Sequence, residues 1–234
     1  MSGGEARMSD SPASRSGPLT NPLRILIADD HEVVRRGIRA LLESHPSWTV
    51  CGEVADGRQA VEQARKLLPD LVILDVAMPG LNGLDAARRI REAMPHVQIL
   101  ILTMYESDQL VRQVLAAGAR GYLLKSDAGR DLINAVDALS QNKPFFTARI
   151  AEKVLEGYLS DPEPLAAQDP ALTPREREVV QLLCEGKTSK ELAGVLKISA
   201  KTAETHRTNV MRKLGVHNLS ELVRYAIRNQ IIEA

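Results

Sequence analysis

From Leu23 to about Asn142 the chain alternates between two patterns of apolar residues. Short apolar runs at Leu23–Ala28, Thr49–Val54, Leu71–Leu74, Gln98–Leu102 and Gly121–Leu124 read as strands. After each run, apolar residues recur every three or four positions, as on one face of a helix. These stripes are Val33, Val34, Ile38, Leu41 and Leu42; then Ala60, Val61, Ala64, Leu67 and Leu68. They continue from about Leu84 to Ala93, from about Ser107 to Ala117, and through Leu132, Ile133, Val136 and Leu139. Five strand–helix units joined by short connections predict an α/β fold, a five-stranded doubly wound parallel sheet with helices on both faces. Leu71–Leu74 has no polar position, as expected of a strand covered on both faces.

Beyond Asn142 the alternation stops. Phe145 to Tyr158 holds one amphipathic candidate helix, with Ile150, Val154, Leu155 and Tyr158 roughly on one side. The stretch from Ser160 to Pro170 is acidic and proline-rich and reads as a flexible tether. From Leu172 to Ile232 only helical spacing remains, and the helix starts are marked. Thr173-Pro174-Arg175-Glu176 and Thr188-Ser189-Lys190-Glu191 have the form of capping boxes; Ser199 and Asn218 are further N-caps, and Gly186 and Gly215 are stops. Four helices follow, at about 174–185, 189–196, 200–214 and 219–230. The chain thus divides into a leader (1–21), an α/β domain (22–142), a linker with one helix (143–169) and a small all-α domain (170–234). The leader is Ser-, Gly-, Pro- and Ala-rich without an apolar signal-peptide core, so a disordered leader and no export are expected.

Right-handed crossovers point all five strands the same way, so their carboxyl ends share the edge where open α/β sheets bind ligands. Four of those ends carry chemistry: Asp29-Asp30, Asp75, Thr103 and Lys125. Singly, each has a bland explanation: a helix cap, a turn former, a strand threonine, a solvated lysine. Together they describe one cleft. Three crowded carboxylates repel one another, and a hard divalent cation such as Mg²⁺ relieves this. An aspartate carboxylate beside such an ion is a nucleophile toward phosphorus and yields an aspartyl phosphate. Lys125 would supply a positive charge, and Thr103 a hydroxyl, to the new phosphoryl oxygens.

The segments Ile27-Ala28-Asp29-Asp30-His31, Leu74-Asp75-Val76-Ala77-Met78-Pro79-Gly80, Leu102-Thr103 and Gly121-Tyr122-Leu123-Leu124-Lys125 resemble a response-regulator receiver domain over about residues 23–142. The resemblance implies a flavodoxin-like sheet and phosphorylation of Asp75 by a sensor histidine kinase. It implies Mg²⁺ held by Asp29, Asp30, Asp75 and the backbone carbonyl of Ala77, with Thr103 and Lys125 on the phosphoryl group. Tyr122 stands at the aromatic switch position, which turns inward when Thr103 moves toward the phosphate.

In the second domain, the helices at 189–196 and 200–214 with the turn between them fit a helix-turn-helix. On the second of these helices Ala203, Val210 and Leu214 face a core, and Lys201, Thr205, Thr208 and Arg212 the other side, flanked by Glu204 and Asn209. Lys201 and Arg212 suit phosphates; Glu204, Thr205, Thr208 and Asn209 suit base edges in a major groove. Arg207 is read equally as an internal ion pair or a DNA contact, and His206 as a packed residue. Leu172-Thr173-Pro174-Arg175-Glu176-Arg177-Glu178-Val179, Gly186 to Ala193 and Ser199 to Arg207 resemble a LuxR-type helix-turn-helix. That resemblance adds Thr202 to the DNA-facing set. It implies homodimeric binding to double-stranded DNA, with the last helix between protomers and Val223 and Tyr225 to Ile227 as the candidates for that contact. The two domains together resemble the NarL/FixJ response regulators, two-component transcription factors.

Composition narrows the alternatives. The 234 residues carry no net charge, but from Ala171 onward 11 Lys and Arg face 7 Asp and Glu, a local excess suited to DNA. Cys51 and Cys184 lie far apart and read as reduced, half-buried thiols; the five histidines form no zinc array. No apolar run approaches a membrane span, so a cytoplasmic protein without membrane contact is expected. Neither a substrate pocket nor a general acid is evident, so the chain reads as a switch and not an enzyme. In the unphosphorylated chain, the first domain is expected to obstruct the third helix of the second.

Overall fold

The fold was obtained as a computed structural model, which describes residues 22–104, 107–147, 150–151 and 172–232. The leader and the proline-rich tether lie outside these residues. The first domain runs β1 (Leu23–Ala28), α1 (Glu32–Glu43), β2 (Trp48–Val54), α2 (Gly57–Leu67), β3 (Leu71–Asp75), α3 (Gly83–Ala93), β4 (Gln98–Thr103), α4 (Asp108–Ala116), β5 (Gly121–Leu124), a short 3-10 turn (Lys125–Asp127) and α5 (Ala128–Ser140). With a sixth strand, β6 (Phe145–Phe146), the strand pairings among the described residues are parallel, in the order β2-β1-β3-β4-β5-β6.

Strand side chains alternate between two cores, the consequence of a period of two on a sheet covered on both sides. Leu26, Val72, Leu74, Ile99, Ile101 and Tyr122 pack with α2, α3 and α4. Ile25, Ile27, Ile73, Leu100, Leu102 and Leu123 pack with α1 and α5.

Three expectations need correction. The sheet has a sixth strand, β6 (Phe145–Phe146), which pairs with β5 where a helix is expected to begin. Phe145 and Phe146 pack on opposite faces of the sheet, and that alternation favours an extended pair. Ile150 and Ala151 are helical, and the remaining residues of the expected linker helix lie outside the described residues. Val33 is 84% exposed and does not belong to the α1 stripe. Five residues at about 100° each set it some 140° from buried Ile38, whereas Val34 lies within about 40°. Leu68 is also exposed, because α2 stops before it in a left-handed cap at φ 48°.

The second domain consists of α6 (Pro174–Cys184), α7 (Ser189–Leu196), α8 (Ala200–Leu214) and α9 (Leu219–Arg228). Both capping boxes are formed: Thr173 and Thr188 accept from the amides of Glu176 and Glu191, whose carboxylates bond back to the cap amides. Ser199 and Asn218 accept from Thr202 and Glu221, and Gly215 closes α8 at φ +64°. One core of Val179, Leu182, Leu192, Ala203, Val210, Leu222 and neighbouring residues holds the four helices together.

Candidate functional site

Strand register builds the acidic pocket. Ala28 pairs with Leu74, so Asp29 and Asp75 leave adjacent strands side by side. Asp75 pairs with Leu102, next to Thr103, and Thr103 pairs with Leu124, next to Lys125. The chain thus brings together four strand ends far apart in sequence. Lys125 Nζ lies 2.8 Å from both Asp29 Oδ2 and Asp75 Oδ2. The His31 amide donates to Asp29 Oδ1 at 2.8 Å, and His31 Nδ1 stands 2.8 Å from Asp30 Oδ1. One possible ligand atom from each of Asp29, Asp30, His31 and Asp75 lies within 4.8 Å of the others. Asp29, Asp75 and Thr103 are buried, as is Tyr122, whose ring is in the inward position.

Burial pushes the Asp75 carboxyl up to about 6; hydrogen bonding and charge from Lys125 oppose the rise, and Asp29 and Asp30 add to it. Burial pulls Lys125 down, but its bonds to Asp29 and Asp75 and their charges outweigh this and raise it above the usual lysine range. Asp29 Oδ2 and Asp75 Oδ2 are buried without a well-aligned hydrogen bond, so Lys125 meets them as an ion and leaves acceptor capacity unused. Hard carboxylate oxygens with spare lone pairs are the donor set that Mg²⁺ takes, so these residues fit it.

The β3–α3 loop, residues 76–82, is held closely. A Cβ on Gly83 would stand 1.9 Å from the Asp75 carbonyl oxygen, and one on Gly57 2.1 Å from that of Leu81. Only glycine lets α3 and α2 begin so near the loop.

In the second domain the outer side of α8 is open. Lys201, Thr202, Glu204, Thr205, Thr208, Asn209 and Arg212 are exposed. Glu204 accepts from the Ser189 hydroxyl, Thr205 bonds back to the Lys201 carbonyl at 2.9 Å, and Arg212 donates to Asn209 at 3.0 Å. Arg207 is exposed, which leaves it free of the core, and His206 is half-buried.

The model of the response regulator receiver domain matches residues 25–137, and that of the bacterial regulatory proteins of the luxR family matches 170–226. The transcriptional regulatory protein LiaR of Bacillus subtilis is 38% identical over 210 residues, covering 90% of this chain and 99% of LiaR. The oxygen regulatory protein NreC of Staphylococcus epidermidis is 35% identical over 217 residues, covering 90% of this chain and all of NreC. This chain belongs to the LuxR-type response regulators. Among solved structures, RcsB of Salmonella typhimurium is 31% identical with a TM-score of 0.60, covering 90% of this chain and 99% of RcsB. An RcsB–DNA complex gives a TM-score of 0.55 at 31% identity, over 89% of this chain and 99% of that one. The family consists of DNA-binding regulators of transcription.

Sequence reading missed how the two domains of this response regulator meet. In α6, residues 178 to 183 are all buried, so the helix is covered on both sides. One side is the core of its own domain; the other is the receiver. Glu178, fully buried, pairs with Arg58 of α2, with Arg89 of α3 at 3.1 Å and with its own Arg175 at 3.0 Å. Gln181 Oε1 accepts from the Asn82 amide at 2.9 Å, and its Nε2 donates to the Met78 carbonyl at 2.8 Å. Glu185 accepts from the Gly80 amide at 2.8 Å. Gln113 of α4 reaches the Asn229 carbonyl at 3.2 Å, and Gln230 bonds Ser107. The only sequence trace is a polar stripe, Glu178, Gln181 and Glu185, which reads as an ordinary solvent-facing side of a helix.

The contact differs from the expected obstruction of the third helix, because the polar face of α8 is exposed while the domains are docked. What the receiver meets is α6 and the end of α9. Along α9, Leu219 and Ile227 are exposed and Val223 half-buried, an apolar stripe at i, i+4 and i+8. Ile227 also lines a cavity of about 480 Å³ between the domains, together with Asp30, Ala77, Met78, Gln181 and Ile231. Among the described residues no helix is long and apolar enough to cross a membrane.

Proposed function

We propose that Asp75 accepts a phosphoryl group from a sensor histidine kinase and that this switches the helix-turn-helix to dimeric DNA binding. The observation that carries the reading is Lys125 Nζ at 2.8 Å from both Asp29 and Asp75 within one buried carboxylate pocket. One Asp75 oxygen attacks phosphorus as the bond to the donor nitrogen breaks, and the acyl phosphate carries roughly −1.5 to −2 charge where the carboxylate carried a single negative charge. Asp29, Asp30, Asp75 and the Ala77 carbonyl are the residues to hold Mg²⁺, which when bound offsets the charge of carboxylates and phosphoryl group. Lys125 exchanges a carboxylate partner for a phosphoryl oxygen, and Thr103 donates its hydroxyl. The event is a stoichiometric switch, with no turnover chemistry assigned to it.

The output end is α8, with Lys201 and Arg212 on phosphates and Thr202, Glu204, Thr205, Thr208 and Asn209 toward the groove. The α9 stripe of Leu219, Val223 and Ile227 is the contact between protomers. The stripe is open to water, but the receiver stands across the interdomain cavity from Ile227, so docking restrains the approach of a second protomer to that end and leaves α8 free. A DNA-binding switch of this kind acts in the cytoplasm, where a kinase and the chromosome both reach it.

The test is treatment of the full chain with acetyl phosphate and Mg²⁺, followed by intact mass and a sizing column. One phosphoryl group and a shift to dimer are expected, and neither in Asp75→Asn. Phosphoryl uptake that persists in Asp75→Asn would remove the assignment.

A further inference from the structure

The β3–α3 loop has a second owner. Its Gly80 and Asn82 amides and its Met78 carbonyl are bonded by Glu185 and Gln181, which lie about a hundred residues away in the DNA-binding domain. Gln181 is 2% exposed and is itself braced by Glu185, into whose Oε1 it donates at 2.9 Å. Inside the loop, the Met78 and Gly83 amides both bond the Val76 carbonyl. Ala77 therefore sits in a segment pinned on one side by the receiver and on the other by α6. Ala77 and Asp30 line the same cavity as Gln181. Bonds that orient a ligand from behind commonly govern how tightly a metal is held.

We propose that Gln181 is a positioning residue for the receiver's metal site: the docked DNA-binding domain fixes the Ala77 segment in the conformation that receives Mg²⁺. The inference rests on the assignment of Asp29, Asp30, Asp75 and Ala77 as the ligand set. Two consequences follow from the geometry. Removing the amide of Gln181 leaves Met78 and Asn82 to water and frees the loop. Undocking the domain by another route has the same effect, because Gln181 then withdraws. By linkage, Mg²⁺ alone favours the docked arrangement.

The experiment is Mg²⁺ titration of the full chain by calorimetry, repeated with Mn²⁺ and followed by its electron paramagnetic resonance. The proteins are the unaltered chain, Gln181→Ala, the receiver-side double variant Arg58→Ala/Arg89→Ala, and Asp75→Asn. Gln181→Ala and the double variant are both expected to bind about tenfold more weakly than the unaltered chain. The double variant changes receiver residues only and keeps Gln181 and the rest of the α6 sequence, so a defect introduced by a substitution within α6 cannot mimic this result. Equal affinity in the unaltered chain and both variants overturns the proposal while keeping the ligand set. Weakening by Gln181→Ala alone overturns the role of docking. Binding that Asp75→Asn leaves intact, or none in the unaltered chain, overturns the ligand assignment and the proposal with it.

Discussion

Asp75 is a buried acid whose proton is held more tightly in the folded chain than in the unfolded one. Its carboxyl rises from 3.8 to about 6, burial being the largest cause. A raised acid has the opposite sign to the usual salt-bridged aspartate. Its ionisation costs stability as pH climbs from 3.8 to about 6, and the full cost is present above that window. The cost is roughly 3 kcal/mol at neutral pH, from a rise of about two units. In EDTA at pH 7.5, Asp75→Asn should therefore raise stability by up to about 3 kcal/mol, measured by urea unfolding, and the gain should shrink toward pH 4. A gain that does not vary with pH would mean that another property of the asparagine causes it. Lys125 supplies the reverse case. Lys125→Ala leaves Asp29 and Asp75 buried beside each other without their cation, and about 3 kcal/mol or more of lost stability is expected in the same assay. Cys184 needs no such balance: burial, then Glu185, pushes its thiol up to about 12, so it stays protonated and poorly reactive.

At the scale of elements, two glycines in helices separate a packing role from a merely local one. Gly83 opens α3 against the Asp75 carbonyl, where an added Cβ would have 1.9 Å of room; Gly37 in α1 has nothing within 4 Å. Gly83→Ala should destabilise the receiver by at least about 2 kcal/mol, because backbone has to move. Gly37→Ala should stabilise it by roughly 0.5–1 kcal/mol through helix propensity. Thermal unfolding of the two variants side by side checks both signs. This difference marks where the sequence could be read. Periodicity located all five long strands and the helices between them, since burial on one or two faces leaves a regular trace. Strand ends gave Asp29, Asp30, Asp75, Thr103 and Lys125 because a parallel sheet gathers such ends by topology. Capping boxes at Thr173 and Thr188 marked helix starts to the residue. Val33 defeated the reading, since an apolar residue near a stripe but off its angle looks like part of it. Phe145 and Phe146 did so because two residues are too few to show a period. Glu178, Gln181 and Glu185 were illegible for a deeper reason: a polar stripe on a helix is the same letters whether water or another domain faces it.

For the whole molecule, the question is which surface docking withholds. The third helix keeps its polar face open, whereas Ile227 at the end of the α9 stripe lies in the cavity beside the receiver. A single domain should then bind DNA equally well docked or free, and only pairing should differ. Non-specific affinity resides mostly in phosphate contacts, so a duplex of arbitrary sequence suffices to measure it. On a duplex long enough for one domain, the unphosphorylated full chain and the segment 165–234 should bind within about twofold of each other, each losing affinity steeply with salt. On a duplex long enough for two, the segment should bind cooperatively and the full chain should not, until acetyl phosphate and Mg²⁺ are added. Arg58→Ala/Arg89→Ala removes two of the three guanidiniums around Glu178 and should move the full chain part-way to the behaviour of the segment without phosphorylation. Glu178 is fully buried but Arg58 and Arg89 are each 31% exposed. Their loss should therefore cost the docked state about 2 kcal/mol, the low end for truncating one side of a buried charge pair, and shift the closed population part of the way open. If the full chain instead binds the short duplex much more weakly than the segment, the receiver covers the third helix in solution. Control would then act on DNA recognition itself, and the α9 stripe would have no part in it.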